Sequence, residues 1–461
     1  MSSIWEQEQP AMRLDAQEAR RLIRKCDRRV VPILMILYLF AFLDRINIGN
    51  ARLQGLEKDL NMKDQDYNIA LLVLFIPYIL CEIPCNLIMR RLAPSTWISA
   101  IMVIWGGITI CQGFVQNRAG LIACRFLIGV FEAGFLPGCV YLIAMYYRRY
   151  ELQWRLNLFF SASILAGAIS GLLAYGLAYM DGVRGYSSWR WIFILEGLAT
   201  VVLAVVSKAL IADWPETAGF LTERERQNLL LRLSSDQQRY RMDRLDKPAM
   251  RHILQDWKIY IGTLMYLGPV STGYAASFFM PSILQDMGWT SLDAQIMSVP
   301  IYIAVAAMTL GTALLSDRAQ HRFGFIIGGC FIATVGDAIL LCTNSIPSGA
   351  KYFALYAVTG GGFVAQPIVL GWVSNNMSGH YKQAIASAYC LLPSEAPGYR
   401  IGYGTSLGLI WLCGIAATLL FFGLRWKNCQ RDYGNRDYLL RLDPEEVDNL
   451  GDAHPRFRFT C

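Results

Sequence analysis

The sequence predicts an all-α, polytopic membrane protein, and three observations carry that prediction. Of 461 residues, 54% are hydrophobic and only 17% charged, against roughly a quarter charged in soluble domains. The mean hydropathy is positive, +0.34. The apolar residues gather into runs of about twenty, the length a helix needs to cross roughly 30 Å of hydrocarbon. So few polar side chains could not coat a soluble surface, and the same numbers exclude disorder, a collagen-like chain and a small disulfide scaffold.

The elements follow in order. Residues 1–29 are basic, with Arg20-Arg21-Leu22-Ile23-Arg24-Lys25, and lack the apolar core of a cleavable signal peptide. They read as a cytosolic tail, and the first span as an uncleaved anchor. Apolar runs at 30–50, 68–89, 97–116, 120–147, 156–180 and 191–212 make a first bundle of six helices, residues 30–212. Residues 213–257 are polar and charge-rich, with Thr222-Glu-Arg-Glu-Arg and Arg239-Tyr-Arg-Met-Asp-Arg, and read as a cytosolic linker. A second bundle, 258–424, holds runs at 258–284, 294–316, 323–343, 351–374 and 404–424, and 425–461 form a cytosolic tail. Basic residues sit between the runs, at Arg90-Arg91, Arg148-Arg149 and Arg425-Trp426-Lys427, as the positive-inside bias requires. That placement explains the net charge of +7 without nucleic acid.

The halves echo each other weakly. Arg90-Arg91-Leu92-Ala93-Pro94 ends the second span, and Ser316-Asp317-Arg318-Ala319-Gln320-His321-Arg322 ends the eighth. Short basic turns at equivalent places are what duplicated transporter halves carry. Twelve spans are therefore expected, yet eleven are complete. With a cytosolic amino terminus, span 10 runs inward and places Asn375–Gln383 in the cytosol. The last span must run inward too if Arg425 and Lys427 are cytosolic. The missing outward crossing falls at 384–403, where the apolar stretch Ala384–Leu392 is nine residues, about 14 Å of helix. Span 11 is thus truncated. The sequon Asn376-Met377-Ser378 falls in a cytosolic loop, where it stays unmodified.

Charges at bilayer depth cost about 2.5 kcal/mol or more and are functional candidates by default. Here they are lopsided. Asp44, Arg45, Glu82, Arg125, Glu132 and Glu196 lie in the first bundle, whereas Asp337 alone lies well within a second-bundle run. The first bundle should therefore carry the charge chemistry, and the second mostly shape and aromatic surface. Arg125 and Glu132, seven apart, share a helix face, at about the depth of Asp44 and Arg45. The four can form one polar cluster, in which a carboxylate exchanges a proton and a freed arginine grips a substrate carboxylate. A structural network fixing helix packing is the alternative. Glu82 and Asn86 read as partners of the adjacent basic loop, Glu196 as a tie to Arg190, and Asp337 as a carboxyl without a basic partner.

Other features have bland readings. The twelve cysteines are scattered and mostly within apolar runs, and the four histidines fall in loops or the tail, so neither a metal site nor a cofactor is expected. Gly129, Gly134 and Gly138, and Gly167, Gly171 and Gly176, let helices approach closely. Gly360-Gly361-Gly362 with Gln366-Pro367 is a candidate broken helix or gate. Tyr274, Phe278 and Phe279, after a Gly268-Pro269 break, are candidates to line a cavity or to pack against lipid.

These residues resemble the major facilitator superfamily, specifically its anion:cation symporter family and the fungal branch of allantoate- and nicotinate-permease-like proteins. The resemblance rests on Leu43-Asp44-Arg45-Ile46-Asn47-Ile48-Gly49-Asn50-Ala51, Glu82-Ile83-Pro84-Cys85-Asn86, Arg125-Phe126-Leu127-Ile128-Gly129-Val130-Phe131-Glu132-Ala133-Gly134 and Trp189-Arg190-Trp191-Ile192-Phe193-Ile194-Leu195-Glu196-Gly197. Trp214-Pro215-Glu216-Thr217-Ala218 and Ser394-Glu395-Ala396-Pro397 add to it. It implies two six-helix bundles, alternating access and proton-coupled uptake of a small organic anion at the plasma membrane. By that match Asp44 and Glu132 are the proton-carrying acids, and Arg45 and Arg125 the anion- and coupling-side bases. Asn47, Tyr274, Phe278 and Gln366 join the substrate-binding candidates. Glu82, Asn86, Asp317, Arg318 and Gly361 are gating or structural candidates. The expected partners are a small carboxylate, protons and the bilayer; no enzymatic chemistry is expected.

One departure stands out. Only Tyr389-Cys390-Leu391-Leu392 separates Ala386-Ser387-Ala388 from the Pro-Ser-Glu-Ala-Pro segment, where the family carries a Gly-rich helix. About twenty residues are missing, as the parity argument finds independently. A gene-structure error, a non-transporting paralogue or sensor, and a re-entrant replacement each account for it.

Overall fold

The computed structural model describes residues 16–89, 92–237, 256–319, 321–341, 347–376, 399–435, 438, 454–455 and 457–459. Ten helical segments among them are long and apolar enough to cross a membrane. The truncated segment 384–403 lies outside the described residues up to 398; from Tyr399 the chain is helical again.

Span 1 is α1, Ala16–Leu53. It begins well before the apolar run because Leu22, Cys26 and Val30 continue a buried stripe at four-residue spacing. Span 2 is broken into α3, Asp64–Leu72, and α4, Phe75–Met89, after a single-turn α2, Leu56–Asp59. Span 3 is α5, Pro94–Gly113, with proline in its first turn, where no N–H is needed. Span 4 is also broken, into α6, Arg118–Glu132, and α7, Phe135–Tyr146. Spans 5 and 6 are α8, Arg149–Ala178, and α9, Ser188–Leu210.

The linker opens by tying itself down. Asp213 accepts from the Ser95 N–H at 3.1 Å through its carboxylate, and from Tyr146 through its carbonyl. The Trp214 indole donates to the Leu92 carbonyl at 3.2 Å. Linker helix α10, Glu223–Gln237, starts with a reciprocal cap: Glu225 accepts from the Thr222 N–H at 2.9 Å, and Thr222 Oγ1 accepts from the Glu225 N–H at 3.4 Å. Lys25 reaches Glu225 at 2.6 Å. That ammonium and the Thr222 N–H hold the Glu225 carboxyl below the usual carboxylate range.

The second bundle holds α11, Trp257–Asp286; α12, Ser291–Ala319; α13, Phe323–Leu341; α14, Ser348–Asn375; and α15, Tyr399–Asp432. Two expected breaks are absent. Helix α14 runs unbroken through Gly360-Gly361-Gly362 and Pro367, and α11 through Gly268-Pro269. The glycines serve contact: a Cβ at Gly361 would stand 2.5 Å from the Gly329 carbonyl, and one at Gly268 2.5 Å from the Leu409 carbonyl.

The bundles meet through α8 against α12, and α1 against α11. Gly49 backs onto the Phe278 carbonyl, Gly167 onto the Tyr302 ring and Gly171 onto the Gln295 carbonyl. Asn50, beside Gly49, donates to Ser170 at 2.5 Å, so these contacts lie at one level. The positive-inside bias expects the basic ends in the cytosol, which would put that level toward the outer face. Gly176 meets open space, contrary to its expected packing role.

Candidate functional site

Helix α1 buries four polar residues within two turns, Asp44, Arg45, Asn47 and Asn50, each 6% exposed or less. Neighbouring residues on a helix point about 100° apart, so Asp44 and Arg45 serve different walls. Asp44 Oδ2 accepts from the Trp105 indole of α5 at 2.9 Å and from Thr200 Oγ1 of α9 at 3.2 Å. Asn47 lies three residues on, along the same ridge, and donates to Glu196 Oε2 of α9 at 2.5 Å. Glu196 and Thr200 are one turn apart, so two residues of α1 dock against two of α9 in register. Asn47 Oδ1 also accepts from Ser170 Oγ at 2.7 Å and Asn50 Nδ2 at 3.1 Å.

Arg45 turns the other way. Its Nη2 donates to Glu132 Oε1 at 2.5 Å, and its guanidinium lies over the Tyr78 ring, 5.1 Å from the centroid. Glu132 is the last residue of α6, at the break before α7. Arg125, two turns back on α6, is 1% exposed and sits 5.8 Å from the Phe193 centroid. It is within Coulombic range of Asp44, Glu132 and Glu196. Its Nε and Nη2 have no hydrogen-bond partner among the described residues. The four expected residues are thus brought together, and Glu196 joins them. The expected tie between Glu196 and Arg190 is absent: Arg190 instead caps the end of α5, donating to the Gly113 and Val115 carbonyls at 3.1 and 2.7 Å.

A small cavity of about 20 Å³ lies between the bundles, room for about one water. Arg45 faces it with Tyr38, Phe42, Tyr78, Leu136 and Phe160 on the first bundle's side. Opposite stand Tyr266, Val270, Gly273, Phe363 and Gln366, with Gln366 Nε2 donating to the Tyr266 hydroxyl at 3.2 Å. Arg45 is the one charged residue lining it among the described residues. The charge is on the first bundle's wall, as the lopsided charges suggest, but the aromatic surface is shared, with Tyr38, Phe42, Tyr78 and Phe160 facing Tyr266 and Phe363.

Other candidates lie elsewhere. Asn47 is buried behind the cavity wall, within the polar cluster. Phe278 is at the outer inter-bundle contact, against Gly49, and not on the cavity wall. The side chains of Tyr274 and Asp317 lie outside the described residues, and Arg318 is exposed. Glu82 is 2% exposed, with Oε1 unpaired among the described residues; Asn86, one turn on, is half-buried, and Arg90 and Arg91 lie outside the described residues. Asp337 is not bare: it accepts from Ser406 Oγ at 3.2 Å, and Ser406 lies 3.1 Å from Thr272 Oγ1. No group of three or more metal-ligating side chains occurs among the described residues.

Trp105, Thr200, Ser170 and Tyr78 complete the site and were not singled out by sequence reasoning. A tryptophan inside an apolar run was a usable signal, because a buried indole N–H needs an acceptor. Threonine and serine carried none, since both residue types commonly satisfy their hydroxyls on their own helix backbone, which Thr200 and Ser170 do not do here.

The model of the Major Facilitator Superfamily matches residues 34–394. An uncharacterized transporter of Schizosaccharomyces pombe is 34% identical over 431 residues, covering 91% of this chain and 86% of its own. The MFS-type transporter cnsO of Penicillium expansum is 32% identical, over 95% of this chain and 90% of its own. The major facilitator-type transporter hxnP of Emericella nidulans is 31% identical, over 86% and 79%. Among solved structures, a bacterial homologue of the human lysosomal transporter Spinster, inward-facing and occupied, superposes with a TM-score of 0.59 at 17% identity, over 91% of this chain and 86% of its own.

Proposed function

The chain belongs to the Major Facilitator Superfamily and is a multi-pass secondary transporter, and on that premise we propose that it imports a small organic anion together with protons. A carboxylate-bearing nutrient of nicotinate or allantoate type is the proposed substrate, and the plasma membrane the proposed site. One observation carries the reading: Arg45 faces the inter-bundle cavity while its guanidinium is held by Glu132 at 2.5 Å.

The mechanism follows from charge balance. Asp44, Glu132 and Glu196 supply three carboxyls, and Arg45 and Arg125 two guanidiniums, all buried. One proton among the three acids makes the group neutral. An arriving monoanion adds one negative charge to a site where unbalanced charge costs several kcal/mol. It can take Arg45 only as Glu132 leaves, and a released, buried carboxylate is stable only when protonated. Anion and proton therefore enter together. Arg125, with unfilled donors beside the same acids, stabilises whichever carboxylate is ionised.

Uptake of labelled nicotinate and allantoate tests this, at acid and neutral pH and with an uncoupler. The chain should be compared with a version carrying a family-like helix after Ala388. Concentrative uptake that rises at acid pH and collapses with the uncoupler is expected from the restored form, and weak uptake from the chain itself. Uptake indifferent to pH and uncoupler in both forms would refute proton coupling. The truncation at 384–403 favours a second reading, a membrane sensor or inactive paralogue; binding without accumulation in both forms selects it.

A further inference from the structure

Five cations of α1 stand outside the transport site. Arg21, Arg24, Lys25, Arg28 and Arg29 recur at helical spacing and line a cleft of about 490 Å³ with Phe220 of the linker, a volume typical of ligand sites. Positive-inside bias explains their sign but not their crowding. Arg21 and Lys25, Arg24 and Arg28, and Lys25 and Arg29 are like charges one turn apart, each pair destabilising the helix. Nearby acids offset little of this. Asp27 is held by Arg155 at 2.6 Å, Glu225 takes only Lys25 of the five cations, and Glu18, three residues before Arg21, has no ion pair among the described residues. Arg29 donates to the Ala209 carbonyl at the end of α9, 3.3 Å away. Arg21, Arg24 and Arg28 are exposed and have no ion pair among the described residues.

Position selects the ligand. The apolar part of α1 begins at Val30, so at 1.5 Å per residue Arg28 lies about 3 Å, Arg24 about 9 Å and Arg21 about 14 Å outside the hydrocarbon. Headgroups occupy roughly the first 5–8 Å. Three guanidiniums without an ion pair among the described residues thus run from the phosphodiester level out beyond it. Val206 and Leu210, in the α9 turn that Arg29 touches, are 50% and 37% exposed and give acyl chains an apolar track. We propose that this cleft binds the headgroup of a multiply phosphorylated inositol lipid of the cytosolic leaflet. A phosphodiester alone is too short for the ladder, and a soluble polyphosphate would leave the α9 track unused.

The test uses the full chain in nanodiscs of phosphatidylcholine doped with phosphatidylinositol bisphosphate, or with phosphatidylserine at matched charge. Lipid retained through detergent extraction is quantified. Phosphatidylinositol bisphosphate should be retained far better than phosphatidylserine. The variant Arg21→Gln/Arg24→Gln/Arg28→Gln should weaken retention roughly a hundredfold, and Arg24→Gln alone, which leaves the fold intact, roughly fivefold. The charge-matched variant Arg425→Gln/Lys427→Gln/Arg458→Gln should not change it. Equal loss in both triple variants would reduce the cleft to a general basic surface and overturn the proposal, as would no loss in Arg24→Gln. Binding of soluble inositol hexakisphosphate without lipid retention would also overturn it.

Discussion

Arg45 has two competing partners, Glu132 behind it and whatever enters the cavity before it. Glu132→Gln keeps an amide that can still accept from Arg45 but cannot be protonated. Accumulation against a gradient should be abolished while exchange of labelled for unlabelled substrate persists. Arg45→Lys replaces a planar fork with a point charge, and KM should rise roughly tenfold, worth about 1.4 kcal/mol. Counterflow assays on both variants read these outcomes, and normal concentrative uptake in both would make the cluster structural. The sequence showed which acids and bases lay at bilayer depth, because charge there is rare enough to stand out. It did not show that Asp44 answers to Trp105 and Thr200, since partners on other helices leave no trace in spacing along their own.

At the scale of the element, α6 ends at Glu132, the residue whose carboxyl meets Arg45. About one turn before that end is Gly129, where a Cβ would collide with the Leu74 carbonyl at the gap between α3 and α4. Gly129→Val should therefore separate spans 2 and 4 at a cost of about 1–3 kcal/mol. Its expected signature is a lowered melting temperature in detergent and reduced uptake per transporter at the surface, whereas Gly176→Val, facing open space, should change neither. The long helices were legible from hydropathy: ten helical segments among the described residues are long and apolar enough to cross a membrane, and each overlaps an expected apolar run. Their ends were not: α1 and α15 extend beyond the apolar runs, because amphipathic turns continue a helix that hydropathy no longer marks. Nor were the breaks. Glycine triplets and proline suggested one in α14 and none in span 4, yet the neighbours decide. Helix α14 packs its Gly361 on the Gly329 carbonyl and runs on unbroken, whereas Gly129 and Gly134 of span 4 back onto Leu74 and Cys85 of span 2 and both spans are interrupted.

Across the whole molecule, only the charge is divided between bundles at the cavity: Arg45 stands on the first bundle's wall, while aromatic rings line both. The outer contacts at Gly49, Gly167 and Gly171 bring the bundles together on one side of that cavity, so rocking must pry them apart there. All five ionisable groups of the cluster ride on the first bundle and travel with it. A monoanion and a proton leave their sum unchanged, so the bundle carries the same charge through the electric field whether loaded or empty. A potential of 100 mV, worth about 2.3 kcal/mol per elementary charge moved, then does no work on the cycle. Under a potassium–valinomycin clamp, accumulation by the restored form should follow the pH difference, about tenfold per unit, and stay flat as voltage is stepped. Accumulation that tracked voltage would require an unbalanced charge in the moving cluster. The flat response means such a transporter serves its cell in acid surroundings even when the membrane is depolarised.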